Sequence, residues 1–257
     1  MSHQVEIRIA SNAVNASKDV AAEFATALQA NPKIVLGLAT GGTPVGVYQH
    51  LVALYQAQKL SFRQCTTYNL DEYVGLGPDH HQSYRHFMQA NLFDHIDIPT
   101  SQTFVPDGVV NPIEDSCADY ESRIKSSGGI DLQLLGIGEN GHIAFNEPGS
   151  DPKGRTNVVG LTDSTIAANA RFFDSIDDVP REAVTMGIGT ILESRRVVLM
   201  ATGGNKAEAV ARALEGLPDI DSPASFLTTR ENVIFVLDKD AAAKLSDATI
   251  QSAIEID

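Results

Sequence analysis

The sequence predicts an α/β protein on an open, mostly parallel sheet with helices on both faces. Two observations carry that expectation. Short apolar runs closed by Gly, Thr or Asn recur along the chain: IVLGLATGG at 34–42, LQLLGIGENG at 132–141 and VVLMATGG at 197–204. Segments with apolar residues at helical spacing stand between them. Runs of this kind, separated by helices, are buried parallel strands in successive βα units.

In order, Val5, Ile7 and Ile9 alternate as in a half-buried first strand, and Ser17 is the expected cap of a helix with Val20, Phe24, Ala27 and Leu28 on one face. After the run at 34–42, Val45, Tyr48, Leu51, Val52 and Tyr55 form a second apolar face. A strand follows at Thr66 to Leu70 and a helix at Tyr84 to Leu92. Beyond the third run, Ala207, Val210, Ala213 and Leu214 mark another helix, and Val233 to Leu237 a further strand. Only 148–180 breaks the rhythm, with scattered Gly, Asp, Ser and Asn before Arg171, and it reads as either a mobile lid or a surface excursion. No fixed-period repeat or long linker divides the 257 residues, so one domain is expected over 1–257.

Composition excludes several function classes. A formal charge of -14 opposes nucleic acid phosphates and anionic membrane surfaces, although a local basic pocket can still take a small anion. Cys65 and Cys117 are far apart and outside any zinc spacing, so buried, unreactive thiols are expected. The opening MSHQVEIRIASNAV has no basic region followed by an apolar one, and no apolar run approaches the ~20 residues of a bilayer span. A cytoplasmic protein is the expectation.

The chemistry concentrates in the loops after the strands, where helix N-termini converge. Thr40, Gly41, Gly42 and Thr43 lead into a helix with Pro44 in its first turn, which frees backbone N–H groups and hydroxyls for an anion. The pattern recurs in Thr202, Gly203, Gly204, Asn205 and Lys206, with Asn205 the expected N-cap. A lysine in the first turn opposes the helix dipole unless an anion lies between them. GENGHIAFNEPG at 138–149 gathers Glu139, Asn140, His142 and Glu147, a set suited either to proton transfer near neutral pH or to a histidine that hydrogen-bonds its own loop. NLDEYVGL at 69–76 delivers Asp71 and Glu72 onto a glycine-containing turn, for catalysis or for capping. His80 and His81 lack the i, i+4 spacing of a helical metal pair, so no metal site is expected there.

Together, LATGGTPVGVY, YNLDEYVGL, SYRHFM, GIGENGHIAFNEPGS and NARFF resemble the glucosamine-6-phosphate deaminases of the glucosamine/galactosamine-6-phosphate isomerase family, in order and spacing, from about residue 34 to 215. The resemblance implies a Rossmann-like sheet of the sugar-phosphate isomerase/deaminase type and a sugar-phosphate substrate, with no metal or organic cofactor. It assigns ring opening to His142, oriented by Glu147 and Asn140, and transfer of the C2 proton to Asp71. Gly41, Gly42, Thr43, Arg171 and Lys206 would hold the sugar and its phosphate, with Thr40 in the same loop, and Glu72 would position the loop or the substrate amine.

Two departures from the family pattern stand out. Well-known members carry Asp where this chain has Asn140, removing one negative charge beside His142; Glu139 could compensate only if it turned inward. Allosteric hexameric members bind N-acetylglucosamine 6-phosphate through basic residues where this chain has Asn157 and Val159, so loss of that activation is expected. Monomer and homo-oligomer both stay open. The rivals are a 6-phosphogluconolactonase, which needs no C2 base, and a sugar-phosphate sensor, which needs no acid and base groups.

Overall fold

The computed structural model describes residues 5–257, apart from the side chains of Ser164, Ala168 and Phe172; residues 1–4, the head of the segment read for a leader, lie outside it. Eight strands form the main sheet: β1 (Glu6–Ala10), β2 (Val35–Leu38), β3 (Thr66–Asn69), β5 (Thr103–Phe104), β6 (Leu132–Leu135), β9 (Arg196–Ala201), β10 (Val233–Asp238) and β11 (Ile254–Ile256). Their order is β11-β1-β10-β9-β6-β2-β3-β5, every pair parallel. β2, β6 and β10 are buried throughout, which is why they are apolar apart from Gln133 and Asp238.

The helices are α1 (Ala13–Ala30), α2 (Val45–Gln56), α3 (Tyr84–Asn91), α4 (Ile113–Ser126), α5 (Asp163–Asn169), α6 (Ile188–Leu192), α7 (Ala207–Glu215) and α8 (Asp247–Ser252). From β1 to β5 the crossovers run one way along the sheet, and from β5 onward they run back. Right-handed crossovers therefore place α1, α2 and α3 on one face and α4, α6, α7 and α8 on the other. Adjacent β2 and β6 send their chains to opposite faces, which opens a crevice beyond their carboxyl ends. Into it run the loops starting at Ala39 and Gly136.

A second layer was not anticipated. β4 (Asp71–Tyr73), β7 (Asn157–Gly160) and β8 (Glu182–Thr185) form an antiparallel sheet in the order β4-β8-β7. It packs Tyr73, Phe145, Leu161, Ile166, Val179 and Ala183 into a small cluster of their own. The segment 148–180 is thus no plain irregular excursion, since it contributes β7 and α5. Its strand escaped notice because Val158 and Val159 are only half-buried between exposed Asn157 and Gly160, leaving no alternation to read.

Other local expectations change. Asn12, not Ser17, caps α1 by accepting from the Asn15 N–H at 3.0 Å; Ser17 lies inside the helix and donates back to the Ala13 carbonyl. Cys65 and Cys117 are free and buried, and burial beside Asp97 pushes the Cys65 thiol up to about 12. Among the described residues no helix is long and apolar enough to cross a membrane.

Candidate active site

Asp71 opens β4, just past the carboxyl end of β3, and is buried. Burial pushes its carboxyl up to about 8, with the neighbouring Glu72 charge adding to the rise. It lies within electrostatic reach of the phenols of Tyr48, Tyr73, Tyr84 and Tyr120, so its surroundings are aromatic and poor in countercharge. A carboxyl in that position takes and returns protons near neutral pH.

Glu72 has a different task. Its Oε1 accepts from the N–H groups of Tyr73 and Tyr84, both at 2.9 Å, and its Oε2 from Arg85 at 3.0 Å. The carboxylate is used in holding β4 against the start of α3. Of the two roles expected for it, the geometry supports loop positioning and leaves little for binding a substrate amine. Arg85 in turn donates to the Thr103 hydroxyl and carbonyl at 2.9 and 2.8 Å.

Asn140, His142 and Glu147 do meet. His142 Nδ1 lies 2.8 Å from Asn140 Oδ1 and 3.5 Å from Glu147 Oε2, and Asn140 Nδ2 donates to Glu147 Oε2 at 2.6 Å. An amide oxygen only accepts, so Nδ1 carries the proton and Nε2 is the nitrogen left to face a substrate. Burial alone would raise the Glu147 carboxyl, but the nearby His142 imidazole and its charge, the bond from Thr165 and the Asn140 amide bring it down to about 2. Glu147 is therefore an ionised anchor. The ring of His142 lies flat on Gly138, where a Cβ would stand 2.2 Å from the imidazole.

Glu139 does not supply the charge that Asn140 lacks. Its carboxylate accepts from Asn205 Nδ2 at 2.8 Å, toward the loop after β9. Asn205 is accordingly no helix cap, a second correction to the sequence reading, and Lys206 ends a single 3-10 turn, Gly204–Lys206, ahead of α7. Gly203, at φ 88°, is fixed by its N–H to both oxygens of Asp238, at 3.0 and 3.1 Å. The Lys206 ammonium is held below its ordinary pKa by burial, with Glu139 opposing and the Arg171 charge adding. Arg171 is exposed on the turn Ala170–Phe172. Two cations close enough to repel each other suit a multiply charged anion.

Thr40, Gly41, Gly42 and Thr43 form the loop after β2, with Gly41 at φ 93°, a value for which glycine is suited. Pro44 directly precedes α2. Thr40 lies beside the Tyr84 hydroxyl, and the Tyr84 ring stacks on Phe145 at 6.1 Å, which sets this loop next to α3 and the catalytic loop. Phe145 N–H donates to Thr185 Oγ1 at 3.1 Å, and Thr185 is the strand partner of Asp71. Main-chain and aromatic contacts thus join the loops bearing Asp71, His142 and Thr40.

Sequence reasoning missed the supports: Gly138 beneath the imidazole, Tyr84 on Thr40, Asp238 under Gly203, and Thr162 and Thr165 against Glu147. Thr162 was legible as a cap, since a Thr before a short helix signals one. Its approach to a carboxylate fifteen residues earlier leaves no such trace. His80 and His81 stack on each other, with centroids 4.7 Å apart, and belong to no metal-ligating cluster among the described residues.

Residues 10–236 match the model of the family described as glucosamine-6-phosphate isomerases/6-phosphogluconolactonase. The chain is 53% identical over 229 residues to a glucosamine-6-phosphate deaminase of Clostridium perfringens (strain SM101 / Type A), covering 89% of this chain and 95% of that one. It is 53% identical over 241 residues to a protein of the same name from Rhodopirellula baltica, covering 94% and 96%. A solved structure of a monomeric glucosamine-6-phosphate deaminase superposes with a TM-score of 0.91 at 46% identity, over 93% of this chain and 100% of its own.

Proposed function

The chain belongs to the family of glucosamine-6-phosphate isomerases and 6-phosphogluconolactonases, and from that membership we propose that it converts glucosamine 6-phosphate and water to fructose 6-phosphate and ammonia. The observation that carries the reading is two separate proton-transfer groups: the Asn140–His142–Glu147 relay, and a buried Asp71 with its carboxyl near 8. Lactone hydrolysis has use for the first and none for the second.

His142 moves the proton from the O1 hydroxyl to O5 and opens the ring, with the imidazolium stabilised by Glu147. Asp71, ionised, takes the C2 proton to give a cis-enolamine and returns it at C1, leaving an imine at C2. Water adds there and ammonia departs. The Thr40–Thr43 loop, Arg171 and Lys206 hold the phosphate end. Segment 148–180 covers the bound sugar and shields the enolamine. The ring-opening proton and the carbon-bound proton each have a side chain to carry them, O1 and the leaving nitrogen take theirs up from the imidazolium and from water, and the scheme calls for no metal or organic cofactor.

Activation by N-acetylglucosamine 6-phosphate is absent from this scheme. Val159 is half-buried against the small cluster, and Asn157 donates to the Arg155 carbonyl at 3.0 Å; neither offers a cation to a phosphate. Two free buried thiols support a reducing, cytoplasmic location for the reaction.

The test is incubation with glucosamine 6-phosphate and EDTA, following ammonia and fructose 6-phosphate together. Equal release of both is expected, and no ammonia would end the proposal. A sigmoidal rate curve made hyperbolic by N-acetylglucosamine 6-phosphate would overturn the unregulated reading.

A further inference from the structure

Glu147 is gripped at both ends of its carboxylate. Oε2 faces Asn140 and His142, while Oε1 turns the other way, to Thr165 Oγ1 and, at 3.3 Å, Thr162 Oγ1. Both threonines belong to the start of α5, in segment 148–180, and Thr165 is buried. Thr162 Oγ1 also lies 3.1 Å from Thr165 Oγ1. A hydroxyl has one proton to give. The Thr162 proton is shared among acceptors at 3.1 and 3.3 Å, the Thr165 oxygen and the carboxylate, so Thr165 is the principal hydroxyl donor to Oε1.

We infer that Thr165 is a positioning residue for ring opening: its hydroxyl holds Glu147 in the orientation that aligns Asn140 and His142. The terminal torsion of a glutamate is broad and close to twofold, so nothing intrinsic keeps Oε2 on the asparagine amide. The bond at Oε1 supplies that constraint. Consequently the ring-opening group is complete only when α5 is packed in place, and Ile166, the next residue, is what packs it, in the cluster with Tyr73 and Phe145. The inference rests on the deaminase reading given above.

The experiment compares the wild type with Thr165→Val, Thr165→Ser and Thr162→Val. Turnover of glucosamine 6-phosphate is measured beside inhibition by the linear alditol 2-amino-2-deoxyglucitol 6-phosphate, which needs no ring opening. Thr165→Val, close in shape but without the donor, should lower kcat about tenfold, the scale of one hydrogen bond to a charged group. Alditol inhibition should stay within about twofold, since remote binding contacts are intact. Thr165→Ser should restore kcat, and Thr162→Val should have the smaller effect because its own contact with the carboxylate, at 3.3 Å, is the weaker one. Wild-type kcat in Thr165→Val, a parallel loss of alditol binding, or failure of the serine to rescue would each overturn the inference. Should the valine variant not fold, a serine variant turning over at the wild-type rate supports the hydroxyl's role and a slow one refutes it. A wild-type protein that releases no ammonia would instead refute the functional reading itself.

Discussion

β10 of the large sheet is buried at all six residues, Val233–Asp238, whereas β7 of the small one buries none of its four. The large sheet is filled mostly by aliphatic side chains between helical layers, with Thr67, Asn69, Thr103, Gln133 and Asp238 as buried polar exceptions on its strands. The small layer and its adjoining loops hold buried polar groups: Asp71, Glu72, Asn146, Glu147, Thr165 and Thr185. Burying such groups costs free energy unless they are paired. Glu72 and Glu147 are paired, and Asp71 remains protonated over much of the neutral range. Stability and chemistry are thus divided between two cores, and the smaller has less apolar surface with which to hold its shape.

The largest effect should separate them outright. Asp71→Asn removes the C2 base, and a loss of about 10⁴-fold in kcat is expected, at the upper end for one acid–base group. Exchange of the C2 proton with solvent, followed by NMR, should vanish, while the melting temperature does not fall. A substantial residual exchange would reassign the base. Phe235→Ala is the converse: an aromatic truncated in the large core should cost about 3–5 kcal/mol of stability in denaturant titration. Its kcat per folded molecule should match the wild type.

Ile166→Ala strikes the small cluster and should cost about 2 kcal/mol, the low end for such a truncation because its surroundings can relax. That loss should appear as faster amide exchange in α5 and slower turnover rather than as a large shift of the global transition. If global stability falls as for Phe235→Ala, the two cores are one cooperative unit.

The mildest perturbation is of pH, since it changes no residue. With the Asp71 carboxyl near 8 in the free enzyme, kcat/KM should fall about tenfold per pH unit below that value. The ammonium of the bound sugar favours ionised Asp71, so the acid limb of kcat should lie at lower pH. Stability runs the opposite way. The unfolded carboxyl releases its proton near pH ~4 and the folded one near 8, so the unfolded chain binds fewer protons between them and stability declines as pH rises through that window. Asp71→Asn should flatten this slope in melts from pH 4 to 8.

Much of this protein is legible in its sequence. The runs at 34–42, 132–141 and 197–204 became β2, β6 and β9 because strands buried on both faces need unbroken apolar sequence. The faces read at Tyr48 and Leu51, and at Val210 and Ala213, are buried in α2 and α7. His142, Asn140 and Glu147 stand close in sequence, and a tight glycine-bearing loop brings them together, so their meeting needed only local geometry. β5 and β11, of two and three residues, are too short to show a period.

What tertiary structure alone decided is which polar group faces which. Glu72 could have met a substrate amine and instead receives the N–H groups of α3; Glu139 could have turned to His142 and instead takes Asn205. Thr165 reaches Glu147 only because α5 folds back over the catalytic loop. Periodicity records whether a residue is buried, since burial favours apolar side chains wherever the partner comes from. It carries no address for a hydrogen bond, whose partner is set by the packing of distant segments.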